Sequence, residues 1–343
     1  MSATSGSLPT APLGGTGMDI TRVGFGAWAV GGGGWKHGWG TQDDLASEAT
    51  IRQALDEGIN WIDTAPVYGL GRSEEVVGRV LRSVPEADRP YVFTKCGLTF
   101  DPADPDDGPY NVMAADSLRQ QVEDSLRRLQ VERIDLYQVH WPPTDGTALE
   151  EYWATMLELK REGKIRGVGL SNHDVKQLEA ADAVGHVDSL QPPFSMIDRD
   201  AGADLIPWCA EHGTGVLVYS PMQSGLLTGA MSAERVAALP EDDWRRRSPD
   251  FADPALTANL ALAAALAPVA ARHGVAVGAV AVAWTLAWPG VTAAIVGARR
   301  PDQVLGWLPA ATLTLPAADV AELTAAIEST GAGHGPVAAA RAA

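Results

Sequence analysis

Four side chains of complementary chemistry follow short apolar runs in the first half of the sequence. Asp63 and Tyr68 come after one run, Lys95 closes a second run and His140 closes a third. A carboxylate, a phenol, an ammonium and an imidazole are the groups that general acid–base chemistry uses. When hydride reduces a carbonyl, the oxygen gains negative charge and needs a proton. The phenol of Tyr68 is the predicted donor of that proton.

The other three groups have predicted roles that support the phenol. A free phenol has a pKa of ~10, and moving it toward 7 takes about 4 kcal/mol in favour of the phenolate. We expect the ammonium of Lys95 to supply this shift and Asp63 to compensate and position the lysine. His140 is expected to hold the substrate oxygen beside Tyr68.

Each of these residues also has a structural explanation when it is taken alone. Asp63 could cap a turn, and His140 could be a hydrogen-bonded core histidine. Lys95 is harder to explain in this way, because it directly follows a buried run, where an unpaired ammonium is costly. Asp63, at the end of the neighbouring run, is its expected partner.

The composition predicts a globular protein that avoids polyanions. The chain has 343 residues with a hydrophobic share of 46%, which is ample for a buried core. Its net charge of -17 opposes binding to nucleic acid and to anionic membranes. Cys96 and Cys209 are far apart and outside any metal or redox spacing, so we expect no metal site and a reducing compartment, the cytoplasm. Residues 274–298 carry no charge, but Pro289 and Gly290 interrupt them, so no membrane span is predicted.

Strand-like apolar runs and helix-like amphipathic runs alternate along the chain. The strand-like runs occupy residues 23–26, 61–63, 91–95, 134–140, 167–171, 189–191, 215–219 and 291–296. Continuous apolar strands that alternate with helices imply a parallel sheet covered by helices. We therefore predict an α/β fold, a (β/α)8 TIM barrel with an N-terminal extension and extra helices. A doubly wound open sheet is the alternative, although no Gly-x-Gly-x-x-Gly follows the first strand.

No linker interrupts this alternation, so a single domain is predicted. Its expected bounds are residues 18–330, after a flexible N-terminal segment of residues 1–17 that does not look like a signal peptide. Residues 331–343 are expected to form a C-terminal tail. A barrel of this kind typically needs about 250 residues, so the surplus must lie in insertions such as residues 226–256.

The carboxyl ends of the strands build the active site in such a barrel. Beyond the first four residues, these ends carry Ser171, Asn172, Gln191, Tyr219 and Arg299. Ser171 and Asn172 could instead cap the following helix, and Gln191 could belong to the loop before two prolines. Nearly every predicted strand nevertheless ends in a polar or titratable group, as an active site requires.

Asp63, Tyr68, Lys95 and His140 resemble, in order and approximate spacing, the catalytic tetrad of the aldo-keto reductase superfamily. The resemblance extends over most of the chain. It includes Gly-Leu-Ser171-Asn172, Gln191, the Tyr219–Met222 run and Gly-Ala-Arg299-Arg300-Pro-Asp-Gln303. It is closer to the bacterial enzymes and the potassium-channel β-subunit-like branch than to the mammalian aldose reductases. It implies a barrel that holds NADPH in an extended pose across the strand ends.

The resemblance also implies which residues contact the cofactor. Ser171, Asn172 and Gln191 match groups that bind the nicotinamide carboxamide, and Tyr219 matches the ring that stacks on the nicotinamide. Further matched positions wrap the pyrophosphate or lie near the adenosine end: Ser220, Met222, Gly225, Leu227, Gly297, Arg299 and Gln303. The insertion at residues 226–256 is expected to be a strap that closes over the cofactor.

The sequence departs from the family at the adenosine end. Many members have an arginine where Gln303 stands and a Glu-Asn pair where this chain has Gly306 and Trp307. Arg299 and Arg300 can still pair with a phosphate. NADPH is therefore the expected cofactor, with NADH possible, and Trp307 is a candidate to stack on the adenine.

The expected partner is a small carbonyl substrate in a pocket walled by Trp28, Trp35 and Trp141. The leading hypothesis is NADPH-dependent reduction of aldehydes or ketones, and a sugar or alcohol dehydrogenase running in the oxidative direction is its reverse. A nucleotide-sensing regulatory subunit with vestigial turnover is a second possibility. A barrel hydrolase that uses Asp63 and His140 is a third. A homo-oligomer is possible.

Overall fold

The computed structural model describes residues 7–101, 103–104 and 108–339. The strands in these ranges are β1 (Thr10–Pro12), β2 (Asp19–Thr21), β3 (Val23–Gly26), β4 (Trp61–Asp63), β5 (Tyr91–Cys96), β6 (Leu98–Thr99), β7 (Tyr110–Asn111), β8 (Ile134–Val139), β9 (Ile165–Ser171), β10 (Ser189–Gln191), β11 (Gly215–Val218) and β12 (Ala293–Gly297).

The α-helices in the same ranges are α1 (Asp44–Asp56), α2 (Arg72–Ser83), α3 (Ala115–Leu129), α4 (Leu149–Arg161), α5 (Val175–Val184), α6 (Leu205–His212), α7 (Ala233–Ala237), α8 (Ala255–Ala265), α9 (Ala267–His273), α10 (Val277–Ala287), α11 (Pro301–Trp307) and α12 (Ala317–Thr330). Their ends follow local chemistry. Asp43 caps α1 by accepting from the backbone N–H of Ala46, and Asp174 forms a capping box with Gln177 at α5.

Eight strands form a closed parallel barrel. Their order around it is β3-β4-β5-β8-β9-β10-β11-β12, with β12 pairing back onto β3. The predicted (β/α)8 barrel is thus confirmed, and the doubly wound open sheet is wrong. Closure removes both sheet edges, and it brings the carboxyl ends of all eight strands to one rim.

The barrel interior is filled at its amino-terminal end by large apolar side chains. The tilted rings of Trp61 and Phe93 pack there at 5.1 Å between centroids. A Cβ on Gly24 would lie 2.1 Å from the Trp61 ring, so only glycine leaves room for this indole. The filled interior makes the barrel a rigid support for the opposite rim.

A short hairpin covers this filled end. Strands β1 and β2 pair in antiparallel register, and Leu13 between them is fully buried in the interior cluster. The sequence predicts a flexible segment over residues 1–17. The pairing of β1 with β2 and the burial of Leu13 instead hold residues 10–17 against the barrel. Residues 1–6 lie outside the described residues.

The C-terminal segment also contacts the barrel. The backbone N–H of His334 donates to the carbonyl of Ile197 at 2.9 Å, and Ala332 is buried. The part of the predicted tail at residues 340–343 lies outside the described residues.

One apolar stretch is long enough to cross a membrane by length and composition. It is Ala255–His273, with a mean hydropathy of 1.4 and 39% of it buried, and it comprises helices α8 and α9. Core helices of soluble proteins pass the same test, so this is weak evidence for a span. The uncharged stretch at residues 274–298 folds as α10 followed by β12.

Candidate active site

A large cavity of about 1490 Å³ opens at the carboxyl rim of the barrel. Most residues predicted to form the site line it: Trp28, Trp35, Asp63, Tyr68, His140, Trp141, Ser171, Asn172, Gln191, Tyr219, Ser220, Met222, Gly225, Gly297, Arg299 and Gln303. Two do not. Lys95 lies beneath the cavity floor, and the Leu227 side chain is buried in the core between barrel and helices.

The centre of the floor is a buried ion pair. Lys95 Nζ lies 2.5 Å from Asp63 Oδ1 and donates to the carbonyl of Thr64 at 3.0 Å. The pairing of β4 with β5 brings the two side chains together, and both are almost fully buried. Burial lowers the pKa of Lys95, and the negative charge of Asp63 opposes that shift. The pair is the predicted one.

Two amides complete the surroundings of Asp63. Its Oδ2 accepts from Gln191 Nε2 at 2.9 Å and from Gln138 Nε2 at 3.4 Å. An ionised carboxylate can only accept hydrogen bonds, so the nitrogen of Gln191 must face it, and the oxygen of Gln191 remains an acceptor. Sequence analysis did not single out Gln138, although an amide within the apolar run of β8 was a usable signal.

Tyr68 and His140 lie side by side above this pair. Their rings make an edge contact at 5.8 Å between centroids, and Lys95 Nζ lies 5.3 Å from the centre of the Tyr68 ring. Burial, and then the charge of Lys95, hold the pKa of His140 well below its usual range. The imidazole is therefore neutral at neutral pH.

The expected direction of the Tyr68 pKa is wrong. Burial, and then the charge of Asp63, raise the pKa of Tyr68 well above its usual value. The ammonium of Lys95 is paired with Asp63 at 2.5 Å and does not offset these two effects on the phenol. The phenol is consequently protonated throughout the neutral range.

The turn after β9 is held by side chains on both sides. Asn172 has a left-handed φ of 62°. Its Nδ2 donates to the carbonyl of His140 at 2.9 Å, and its Oδ1 accepts from the Tyr219 hydroxyl at 2.8 Å. Ser171 Oγ donates to the carbonyl of Gln191 at 2.8 Å. These bonds fix the amide of Asn172 and the ring of Tyr219 relative to each other.

A buried histidine supports the same turn from behind. His173 Nδ1 lies 2.8 Å from the carbonyl oxygen of Ser171, and its Nε2 lies 2.9 Å from the Tyr152 hydroxyl on α4. Burial lowers the pKa of His173 to about 4. A neutral imidazole thus links the turn to the helix layer.

The far end of the cavity contains Arg299, just after β12. Its Nε donates to Gln42 Oε1 at 2.9 Å, and its Nη2 donates to the carbonyl of Thr41 at 2.6 Å. Gln303 Oε1 accepts from the backbone N–H of Arg299 at 2.7 Å. Arg300 is exposed and pairs with Asp302 at 3.0 Å. The two arginines therefore differ, since only Arg299 is fixed against the cavity wall.

The strap, residues 226–256, brings a third arginine to the cavity. Arg245 is paired with Asp243 at 2.6 Å and lies 4.8 Å over the ring of Trp39. Burial, followed by the charge of Arg245, lowers the pKa of Arg299. Both cationic groups line the cavity, and an anion near them would be stabilised. Sequence analysis did not predict Arg245.

Tryptophans join the strap to the glycine-rich loop after β3, residues 28–40. The ring of Trp28 stacks on Tyr68 at 6.1 Å and on Trp244 of the strap at 5.2 Å. Trp35 is almost buried, whereas Trp141 is 47% exposed at the mouth. The aromatic wall next to Tyr68 is therefore built partly from the strap.

The backbone after β11 has an unusual conformation along the cavity. Ser220, Gln223 and Ser224 have φ values of 57°, 43° and 52°, and Gly225 follows with 101°. The turn is closed by its own backbone hydrogen bonds. Gln223 N–H donates to the carbonyl of Ser220 at 2.8 Å, and the N–H groups of Gly225 and Leu227 donate to the carbonyl of Met222 at 3.1 Å. Leu226 and Leu227 anchor this segment in the core.

Known proteins resemble this chain over most of its length. A model described as "Aldo/keto reductase family" matches residues 22–328. Aldo-keto reductase YhdN of Bacillus subtilis is 36% identical over 326 residues, which are 92% of this chain and 92% of that protein. An NADH-specific methylglyoxal reductase of Escherichia coli is 34% identical over 319 residues, 90% of this chain and 95% of that protein.

Solved structures give the same result. The glycerol dehydrogenase AKR11B4 from Gluconobacter oxydans superposes with a TM-score of 0.86 at 36% identity, covering 97% of this chain and 98% of that one. Aldo-keto reductase AKR11C1 from Bacillus halodurans superposes with a TM-score of 0.75 over 97% of this chain and 98% of that one. Its identity of 24% supports the fold alone.

Proposed function

The chain belongs to the aldo/keto reductase family, whose members are NAD(P)H-dependent oxidoreductases, and on that premise we propose that it reduces small aldehydes or ketones to alcohols with Tyr68 as the general acid. The single observation that carries the proposal is the pairing of Tyr68 with His140 on the cavity floor, directly above the buried ion pair of Lys95 and Asp63. This arrangement supports the roles that the family resemblance implies for the four residues.

The bound cofactor would supply a hydride to the carbonyl carbon. Tyr68 then donates its phenolic proton to the carbonyl oxygen, so that a C–H and an O–H bond form as the C=O π bond breaks. The raised pKa keeps the phenol protonated at neutral pH, which suits reduction. Oxidation of an alcohol needs the phenolate, which the same surroundings disfavour.

His140 orients the carbonyl oxygen beside the phenol. Within the described residues, its Nδ1 is buried and has no hydrogen-bond partner. A neutral imidazole carries one proton, and leaving a buried N–H without an acceptor is costly, so the proton belongs on Nε2. Nε2–H can donate to the carbonyl oxygen and direct it toward Tyr68.

The cavity residues fit an extended nicotinamide dinucleotide. The volume of about 1490 Å³ exceeds what a small carbonyl alone requires. Gln191 and the Ser171–Asn172 turn would hold the carboxamide, and the ring of Tyr219 would face the nicotinamide. The segment that contains Ser220, Met222, Gly225 and Leu227 would wrap the pyrophosphate. The backbone N–H groups of Gly225 and Leu227 already donate to the carbonyl of Met222 at 3.1 Å, so these two residues would shape the turn. Gly297, Arg299 and Gln303 would meet the adenosine end.

We further propose that NADPH is preferred and NADH is accepted. The argument for NADPH is that Arg299 and Arg245 both line the cavity, so a 2′-phosphate beside Arg299 would add negative charge near two cationic side chains. Two observations oppose an exclusive preference. The carboxylate of Asp43 also lines the cavity, and the relative from Escherichia coli is named as NADH-specific.

Substrates are proposed to be small oxygenated carbonyl compounds. Trp28 and Trp35 enclose the space beside Tyr68, while Trp141 leaves the mouth open. Two relatives are named for three-carbon compounds, methylglyoxal and glycerol. Because one of them is named a glycerol dehydrogenase, oxidation of an alcohol or sugar is the second candidate function. The hydrolase alternative is not proposed, because both carboxylate oxygens of Asp63 are already bonded.

The buried, unpaired thiols of Cys96 and Cys209 fit a reducing compartment, and we place the enzyme in the cytoplasm. The function is tested by titrating the purified protein with NADPH and NADH through tryptophan fluorescence, followed by turnover assays with methylglyoxal and glyceraldehyde. We expect binding of both cofactors and aldehyde-dependent oxidation of NADPH. Binding without turnover would favour the nucleotide-sensing subunit, and no binding at all would overturn both.

A further inference from the structure

Gln42 occupies an unusual position between the glycine-rich loop and α1. The side chain is only 7% exposed, although it lines the cavity. Its Oε1 accepts from Arg299 Nε at 2.9 Å, and its Nε2 donates to the carbonyl oxygen of Arg299 at 3.0 Å. A second bond from Nε2 to Ser47 Oγ at 3.1 Å ties the amide to α1. The amide of Gln42 thus hydrogen-bonds to both the side chain and the main chain of Arg299.

These contacts occupy one edge of the Arg299 guanidinium and leave its other edge toward the cavity. Nε is bonded to Gln42, and one hydrogen of Nη2 is bonded to Thr41. Within the described ranges, Nη1 of Arg299 has no hydrogen-bond acceptor. The end formed by Nη1 and Nη2 therefore remains for an anion, and a planar guanidinium held at its other edge can bind two phosphate oxygens at once.

Holding this arginine in place works against electrostatic repulsion. Burial lowers the pKa of Arg299 most, the charges of Arg245 and Arg300 lower it further, and the charge of Asp243 raises it. Without Gln42, the guanidinium would lose the bond from its Nε that holds it against this repulsion. A side chain that keeps the guanidinium near a second cation prepares a site for a dianion.

We propose that Gln42 is a positioning residue that sets the preference for a 2′-phosphorylated cofactor by fixing Arg299. This inference rests on the proposed function, because it assumes that the adenosine end of a nicotinamide dinucleotide lies at Arg299. Gln42 itself is directed at the arginine and at Ser47. It therefore acts through the guanidinium.

The test compares two fragments by calorimetry, adenosine 2′,5′-bisphosphate and adenosine 5′-monophosphate, which differ only in the 2′-phosphate. The quantity measured is the dissociation constant of the monophosphate divided by that of the bisphosphate. We expect the wild type to favour the bisphosphate and Gln42→Leu to reduce this ratio roughly tenfold. Gln42→Glu, which sets a carboxylate against the arginine, should reduce it at least as much and serves if the leucine variant folds poorly.

Two controls separate positioning from general damage. Gln53→Leu changes the same residue type on α1, the helix that follows Gln42, away from the cavity, and should keep the wild-type ratio and thermal stability. Adding Gln42→Leu to Arg299→Ala should change the ratio less than about twofold, because the arginine through which Gln42 acts is already absent.

The outcomes distinguish this inference from the function it rests on. A wild type that binds both fragments equally would overturn the NADPH preference and this inference with it. A wild type that favours the bisphosphate, together with an unchanged ratio in Gln42→Leu, would overturn the role of Gln42 alone. Fully additive losses in the double variant would also overturn it, since they would mean that Gln42 does not act through Arg299.

Discussion

The two ends of the cavity are built in different ways. At one end, Asp63 and Lys95 are interior side chains of adjacent strands and are 3% and 0% exposed. At the other, Arg299 and Arg245 come from loops, remain partly exposed and are held by Gln42 and Asp243. The register of the strands positions the proposed catalytic side chains, whereas contacts between loops position the arginines that are proposed to meet the cofactor.

This difference predicts how each end responds to change. Breaking a buried pair leaves an unpaired charge in a low dielectric, which is costly. Removing a partly exposed charge costs less, because water and salt replace much of its interaction. Substitutions at the tetrad end should therefore affect turnover and folding strongly, and substitutions at the loop end should affect cofactor affinity modestly.

The largest effect is expected for Tyr68→Phe. Losing the proton donor should lower kcat for carbonyl reduction by about 10²–10⁴-fold, while the fluorescence change on cofactor binding persists. Tyr91→Phe, at the opposite end of the barrel, is the matched control and should keep the wild-type kcat. Comparable rates for Tyr68→Phe and the wild type would remove the phenol from the mechanism.

Lys95→Met tests the buried pair. It leaves Asp63 charged and unpaired, so the free energy of unfolding should fall by about 3–5 kcal/mol in guanidinium titrations. Replacing both partners, in Lys95→Met with Asp63→Leu, should recover part of that loss because no buried charge remains. A loss below about 1 kcal/mol in the single variant would indicate that the pair is solvated, as at the loop end.

Titration of His173 should also make the free energy of unfolding depend on pH. Its folded pKa of about 4 is depressed from an ordinary 6.5, so the unfolded chain binds the proton first as the pH falls. Its contribution to stability is therefore full above pH ~6.5 and falls by about 2 kcal/mol by pH 5. Unfolding titrations of His173→Phe should show a shallower loss between pH 7 and 5, and parallel profiles would contradict this assignment.

The smallest effect is expected at the strap. Arg245→Ala removes the contacts with Asp243 and Trp39, and stopped-flow measurements should show NADPH leaving roughly fivefold faster. Arg246→Ala, in the same segment but with its side chain exposed, is the control. An effect on kcat as large as that of Tyr68→Phe would contradict the separation of the two ends.

The sequence was informative where local pattern determines position. Continuous apolar runs fixed the eight barrel strands, and the residues that end them, such as Asp63 and Gln191, reach the rim because parallel strands all point the same way. The pairing of Asp63 with Lys95 was predictable because a buried ammonium needs a partner.

The remaining features depend on contacts between distant segments. Gln42 and Arg299 are 257 positions apart, and no periodicity links them. Arg245 lies in an insertion without strand or long helix, and the burial of Leu13 depends on a hairpin of three-residue strands. The pKa of Tyr68 could not be predicted because it depends on how fully Asp63 neutralises Lys95, which is a matter of distance.

The central claim is that the chain transfers hydride from a nicotinamide to a carbonyl carbon on this cavity floor. It is tested most directly by reducing methylglyoxal with NADPH that is deuterated at one or the other C4 position and analysing the alcohol by mass spectrometry. The account predicts one deuterium on the new carbinol carbon from only one of the two labelled cofactors, because Ser171, Asn172 and Gln191 are proposed to hold the nicotinamide with one face toward the substrate. Carbinol hydrogen that comes from solvent with both cofactors would contradict it.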